Sequence, residues 1–270
     1  MAIDRSEVRD ALLGPQATAQ VAALSHQGAA RRNNEDCALV GGFVLSESTD
    51  PTPMTMTLQS VEPVIVAVAD GLGGHGGGEL AAATAIRRVA QDAIGLTSEE
   101  AVADAVRQAS SDVQQQAAAT RGAHDMGTTI VGLAITPEQI FCFNVGDSPA
   151  FRLEDGYLLQ IVTLDSPADT AGIDSANPEP SNLVTQVLGP GTSRLVPHVS
   201  SFEPREGDVY LLCSDGLTDM VPLTEIERLL QENPDDDERA VKALWAAAMN
   251  AGGRDNITIA IVRPGIPTAS

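Results

Sequence analysis

Basic residues are scarce in this 270-residue chain: 16 lysines and arginines stand against 37 aspartates and glutamates, a formal charge of −21. A field of that sign repels phosphate backbones and anionic headgroups, which argues against nucleic acid and membrane surfaces as partners. Aromatic residues make up only 3%, too few for a base-stacking platform. Cys37, Cys142 and Cys213 are the only cysteines, lie far apart and form no CxxC pair, so neither a disulfide framework nor a zinc clip is expected. They read as reduced thiols packed as small apolar groups in a cytoplasmic protein. Long apolar runs are also missing; a stretch such as Val64 to Ala69 is far short of the ~18 residues that suggest a membrane span. The opening MAIDRSEVRDALL carries charges throughout and lacks a signal-peptide apolar core.

What remains is an ordinary globular composition, 43% hydrophobic and 20% charged. No repeat appears and no linker divides the chain, since Ser46 to Pro53 and Asp174 to Ser181 read as surface loops. Helices are marked by their caps. Thr97 with Glu100 forms a capping-box pattern opening a helix to about Ala119, and Thr224 with Glu227 repeats it ahead of a stop at Asn233-Pro234. Asp235 to Glu238 supplies carboxylates to the positive end of a further helix that closes at Gly252-Gly253. A fourth helix should run from near Gly78 through Ile94. Strands are expected at Cys37 to Leu45, Val64 to Ala69, Thr128 to Ile135, Ile140 to Val145, Ala150 to Leu153, Tyr157 to Val162, Val209 to Cys213 and Ile257 to Val262. Turns at Thr136-Pro137-Glu138 and Asp155-Gly156 join neighbours as antiparallel hairpins. Strand runs mixed with paired helices favour an α+β layered fold over a doubly wound sheet.

One pattern carries chemistry: an apolar strand ending in aspartate, as at Asp70, Asp147 and Asp215, with Asp255 just ahead of another strand. A carboxylate at the edge of an apolar sheet costs several kcal/mol of desolvation, on the order of that for other buried ions, unless a cation or donors meet it. Several at strand ends suggest a shared cation. Asp155-Gly156, flanked by polar residues, is read as a turn only.

The densest signal is Asp70 to Glu79, with six glycines among the eight residues from Gly71 to Gly78. Gly71, Gly73 and Gly76 satisfy GxGxxG, which makes dinucleotide binding a rival. Asp70 would repel a pyrophosphate, however, and no strand ending in an acid follows at the usual ~20-residue spacing. Hard oxygen ligands from Asp70 and the Gly71 carbonyl suit a metal better. Upstream, Arg31-Arg32-Asn33-Asn34-Glu35-Asp36 sets a basic pair beside an acidic pair at a strand entrance; alone it would read as a salt-bridged turn.

Six segments together resemble a bacterial member of the metal-dependent protein phosphatases, the type 2C serine/threonine phosphatases: Arg31 to Asp36, Asp70 to Glu79, Met126 to Thr129, Asn144 to Ser148, Cys213 to Thr218 and Gly252 to Asn256. The resemblance implies one phosphatase domain over residues 1–270, with a core at about 19–262 built as two antiparallel sheets in a sandwich flanked by helix pairs. It implies hydrolysis of phosphoserine and phosphothreonine in proteins, such as the products of a serine/threonine kinase. Two Mg²⁺ or Mn²⁺ ions would be bridged by Asp70, with Asp215 and Asp255 completing one site and Glu35 and the Gly71 carbonyl serving the other. Asp147 with Asp215 would hold a weaker third ion. Asp36 matches the carboxylate that orients the attacking water, Arg31 the phosphate-gripping arginine, and His75 a candidate general acid for the leaving alkoxide. Two metals would acidify the water and clamp the phosphoryl oxygens, so no nucleophilic side chain is needed.

The chain departs from the family pattern at Ser166-Pro167, where relatives commonly have His-Ser, at Pro149 in place of arginine, and at His26 in place of aspartate. None is an expected primary metal ligand; they bear on the segment Asp165 to Val199 beside the site. A phosphoprotein-binding scaffold that has lost turnover is the non-enzymatic alternative.

Overall fold

Antiparallel pairing of short apolar strands organises the computed structural model, which describes residues 15–46, 48–73, 77–166, 184–191 and 194–266. In chain order the strands are β1 (Ala17–His26), β2 (Cys37–Val40), β3 (Phe43–Leu45), β4 (Met54–Ser60), β5 (Val64–Ala69), β6 (Gly71–Leu72), β7 (Gly127–Thr128), β8 (Ile130–Ile135), β9 (Ile140–Val145), β10 (Ala150–Glu154), β11 (Tyr157–Gln160), β12 (His198–Phe202), β13 (Tyr210–Cys213) and β14 (Ile257–Gly265). The helices are α1 (Gly77–Gln91), α2 (Glu99–Ala119), α3 (Asp215–Thr218), α4 (Leu223–Gln231) and α5 (Asp237–Asn250).

Two six-stranded sheets result, one ordered β11-β10-β13-β14-β1-β4 and the other β12-β9-β8-β5-β2-β3. Their inner faces meet in a core that includes Val21, Ala23, Val66, Val68, Leu133, Tyr210, Leu212 and Ala260. The outer face of the second sheet packs on α1 and α2 through residues such as Ile65, Phe143, Ile86 and Val106. The outer face of the first packs on α3, α4 and α5 through Leu24, Leu211, Ile259, Ile226 and Leu244. The layers are therefore α, β, β, α, as expected, and strands buried on both faces are near-continuous apolar runs.

The three cysteines fall in three different layers, Cys37 under the α1–α2 pair, Cys142 between the sheets and Cys213 under α3–α5. That separation keeps them from pairing with one another. Burial pushes the Cys142 thiol up to about 12, and burial with Asp215 and Asp36 nearby raises Cys213 further. No described helix is long and apolar enough to cross a membrane.

Several boundaries differ from expectation. Ser98, not Thr97, caps α2, its hydroxyl accepting from Ala101 N at 3.2 Å. Thr224 does not cap α4: Pro222 occupies that position, and Glu227 turns away to accept from Leu158 N at 2.9 Å on the edge strand. The stretch read as a single strand from Cys37 to Leu45 is a hairpin, folded at Gly41, whose φ of 60° is left-handed. β1, β4 and β12 were not expected. The Asp155-Gly156 turn is borne out, with φ of 50° and 86°, the positive pair that a two-residue hairpin turn requires.

Candidate active site

Strand register brings the chemistry-bearing residues to one end of the sandwich. Cys37 pairs with Ala69, so Asp36 and Asp70, one residue beyond each, emerge side by side. Val68 pairs with Val131, and Ile130 with Val145, which carries Thr129 and the Gly146-Asp147 turn to the same end. In the opposing sheet Cys213 pairs with Ile259 and His26 with Ile257, delivering Asp215, Asp255 and the Arg31 loop. Strands that alternate in direction would scatter these residues to both ends unless each motif lay at the matching terminus of its strand.

Asp36 is the most enclosed of the set, 1% exposed. Its Oδ2 accepts from Ser214 Oγ and Thr258 Oγ1, each at 2.8 Å, a link between the two sheets. Burial pushes its carboxyl up to about 6, against those two donors, which pull it down. The register sets the Asp36 and Asp70 carboxyl groups side by side, close enough for each to weigh on the other's charge. Neighbouring carboxylates at that depth are eased by a proton on one of them or by a cation beside both. Asp70 is held well above the ordinary carboxylate range by burial and by Asp36, Asp215, Asp255 and Asp147. Asp215, which opens α3, is pushed up to about 7 by burial, then by Asp147, Asp219, Asp255 and Asp36. Burial likewise raises Glu35 and Asp147. One end of the molecule thus gathers hard oxygen donors that strain against their own charge.

Glycine shapes the floor of this site. A Cβ on Gly78 would lie 2.6 Å from Glu35 Oε2 and 2.8 Å from the Gly71 carbonyl oxygen, so carboxylate and carbonyl converge on a space only a hydrogen can leave open. These donors suit a divalent cation. Among the described residues, however, no three His, Cys, Asp or Glu side chains already stand in an arrangement that could hold a metal. Asp255 Oδ2 is engaged by Arg31 Nη2 at 2.6 Å, and Asp36 is turned to Ser214 and Thr258.

The structure brings Arg31, Glu35, Asp36, Asp70, Gly71, Asp147, Asp215 and Asp255 to this one end; His75 lies outside the described residues. Sequence reasoning missed the frame around them. Asn256 accepts from Glu35 N at 2.8 Å and donates to the Gln27 and Asn33 carbonyls at 2.8 and 2.9 Å, clamping the Arg31 loop. Thr129 Oγ1 accepts from Asp70 N at 3.1 Å and shares a hydrogen bond with Ser148 Oγ at 2.7 Å. Asp219, one helical turn beyond Asp215, is a further acid raised by burial and by Asp255, and its i, i+4 spacing was readable in Asp215-Gly-Leu-Thr-Asp219. Of the departures, Pro149 offers its carbonyl to Cys213 N at 3.3 Å, and His26 Nδ1 accepts from Gly28 N at 2.9 Å. Pro167 lies outside the described residues.

A family model described as protein phosphatase 2C matches residues 55–257. The chain belongs to the protein phosphatase 2C family. It is 30% identical over 251 residues to the serine/threonine phosphatase stp of Listeria welshimeri, covering 87% of this chain and 92% of that one. It is also 30% identical over 255 residues to the serine/threonine protein phosphatase PstP of Mycobacterium tuberculosis, covering 89% of this chain but 44% of the longer relative. A crystal structure of the PstP catalytic domain in complex with two manganese ions superposes with a TM-score of 0.75 at 28% identity, covering 92% of this chain and 99% of that one. The family fold therefore accounts for the α, β, β, α layering.

Proposed function

We propose that this phosphatase hydrolyses phosphoserine and phosphothreonine in proteins at the acidic end of the sandwich, with divalent cations held there by Glu35, Asp70, the Gly71 carbonyl, Asp215 and Asp255. The observation that carries the reading is the convergence of Asp36, buried, with Asp70 and Asp215, half-buried, at one end of the two sheets, an assembly that needs a cation to sit fully ionised at neutral pH. The named phosphatase activity of relatives at 30% identity supports it. Bound Mg²⁺ or Mn²⁺ supplies a water acidified toward neutrality and positive charge for the phosphoryl oxygens.

The chain's own residues supply the rest. Arg31, 54% exposed at its side chain and paired with Asp255, presents to solvent a planar fork suited to an incoming phosphate. Asp36 is held by Ser214 and Thr258 through one oxygen, Oδ2, which fixes the direction of the other. A carboxylate aimed in that way can take up a proton from water as it attacks. Cys142 and Cys213 are not suited to nucleophilic attack, since burial holds them as neutral thiols, and Cys37 is fully buried. The same buried, uncharged thiols suit a reducing, cytoplasmic setting. The test is hydrolysis of a phosphothreonine peptide with Mn²⁺, Mg²⁺ or excess EDTA, beside Asp70→Asn. Metal-dependent turnover lost in the variant is expected; saturable metal binding without turnover in the wild type would favour a phosphoprotein-binding scaffold instead.

A further inference from the structure

Away from the cluster of expected ligands, one buried carboxylate has more donors than packing alone would require. Asp165 is 3% exposed and lies on the connection after β11. Its Oδ2 accepts from Gly146 N at 2.9 Å, and its own backbone N donates to the Gly146 carbonyl at 2.8 Å. Its Oδ1 accepts from Gln186 Nε2 at 2.8 Å and faces His198 Nε2 at 3.1 Å, while its carbonyl accepts from Thr185 N at 2.7 Å. One side chain therefore ties β12 and the 185–186 segment to the turn that ends in Asp147. The histidine that reaches Asp165, His198, comes from β12, 33 positions away.

Gly146 has little latitude. Its φ is +106°, and a Cβ there would lie 2.6 Å from Thr129 Cγ2. With both its N–H and its carbonyl held by Asp165, the direction in which the next residue, Asp147, leaves the turn is fixed. Asp147 in turn acts on Asp215, and Ser148 reaches Thr129, whose hydroxyl holds the backbone of Asp70.

We infer that Asp165 is a positioning residue, which through its paired hydrogen bonds to Gly146 aims Asp147 at the Asp215 side of the acidic site and so sets how tightly a divalent cation is held there. This rests on the metal-binding reading given under Proposed function. A neutral amide at 165 presents one acceptor oxygen where the carboxylate presents two, so it cannot serve Gly146, Gln186 and His198 together without turning an NH₂ toward a donor.

The experiment is calorimetric titration of Mn²⁺ into the metal-stripped full chain, for wild type, Asp165→Asn, Asp147→Asn and the double variant, with kcat and KM on a phosphothreonine peptide alongside. Asp165→Asn should weaken the weakest-bound Mn²⁺ about tenfold, leave tighter ions within about twofold, and lower activity at limiting Mn²⁺ in a way that excess Mn²⁺ restores. The double variant should be no worse than Asp147→Asn, because one residue acts through the other. Should Asp165→Asn fail to fold, His198→Leu, which removes one donor, should weaken the same ion about threefold, and His198→Gln, which keeps a donor, should recover it. Unchanged titration in these variants, or losses that add in the double variant, would overturn the inference and leave the metal reading standing. A wild type that binds no Mn²⁺ would overturn both.

Discussion

Removing divalent cations should make the folded protein prefer acid. Burial raises the Asp36 carboxyl from an ordinary 3.8 to about 6, so the native state binds that proton more tightly than the unfolded chain does. The stability this contributes is complete below pH ~4 and is lost as pH rises through ~6. A shift of about two units at about 1.4 kcal/mol each corresponds to about 3 kcal/mol between pH 4 and pH 7.5. Asp70 and Asp215 are raised as well, Asp215 to about 7, so they act with the same sign and extend the window toward neutrality. The assay is urea unfolding in EDTA at a series of pH values, for wild type and Asp36→Asn. Repulsion within a chain of formal charge −21 also grows with pH, but it is nearly the same in both proteins, and their difference reports the Asp36 carboxyl together with its effect on Asp70 and Asp215. An asparagine oxygen can still accept from Ser214 and Thr258, so the variant should fold. Wild type should lose on the order of 3 kcal/mol more than the variant across the window, and Mn²⁺ should reverse the trend by taking the proton's place. Equal slopes in the two proteins, or a metal-free wild type most stable at pH 8, would refute the reasoning.

Other expectations are narrower. Asp70→Asn should abolish measurable turnover on a phosphothreonine peptide while leaving the circular dichroism spectrum unchanged; full activity would remove Asp70 from the site. Arg31→Ala should lower kcat/KM by about 10- to 100-fold, the loss of a charge-assisted contact of about 1.5–3 kcal/mol, seen mainly in KM. Gly78→Ala should displace Glu35, whose Oε2 would lie 2.6 Å from the new methyl carbon, and raise the Mn²⁺ concentration needed for half-maximal rate. The −21 charge should favour phosphopeptides with basic flanks at low salt, and that preference should fade between 50 mM and 500 mM NaCl as the field is screened; equal rates on acidic and basic peptides at low salt would dispose of it.

Where local chemistry and tertiary packing agree, the sequence was legible. Val64 to Ala69 and Ile140 to Val145 are strands over the residues expected, because an unbroken apolar run bounded by turn formers has no better home than a sheet buried on both faces. β1 was hidden because Ala17–His26 is rich in alanine and small polar residues, which state no strand preference of their own; it is a strand because β14 and β4 flank it over its length. β4 did carry a signal, the alternation of Met54, Met56 and Leu58 with polar residues, and its burial alternates in step as befits an edge strand.

The site shows a similar division on a finer scale. Asp70, Asp147 and Asp215 were readable as carboxylates at strand ends, since an ionisable group following apolar residues raises the question of what meets its charge. The residues that answer for geometry were not readable. Ser214 and Thr258 are short hydroxyls of a kind found everywhere in the chain, and only the pairing of β13 with β14 sets them on Asp36 Oδ2 together. Asp165 was noticed only for the unusual residues after it, yet its own carboxylate joins segments separated by 19 and 33 positions, a relation no local window contains. Side chains that bear charge announce themselves in one dimension, whereas those that aim the charge are defined by neighbours that exist only once both sheets have formed. In this fold the distinction follows the register: a one-residue slip between β2 and β5 would leave every acid in the sequence and separate Asp36 from Asp70.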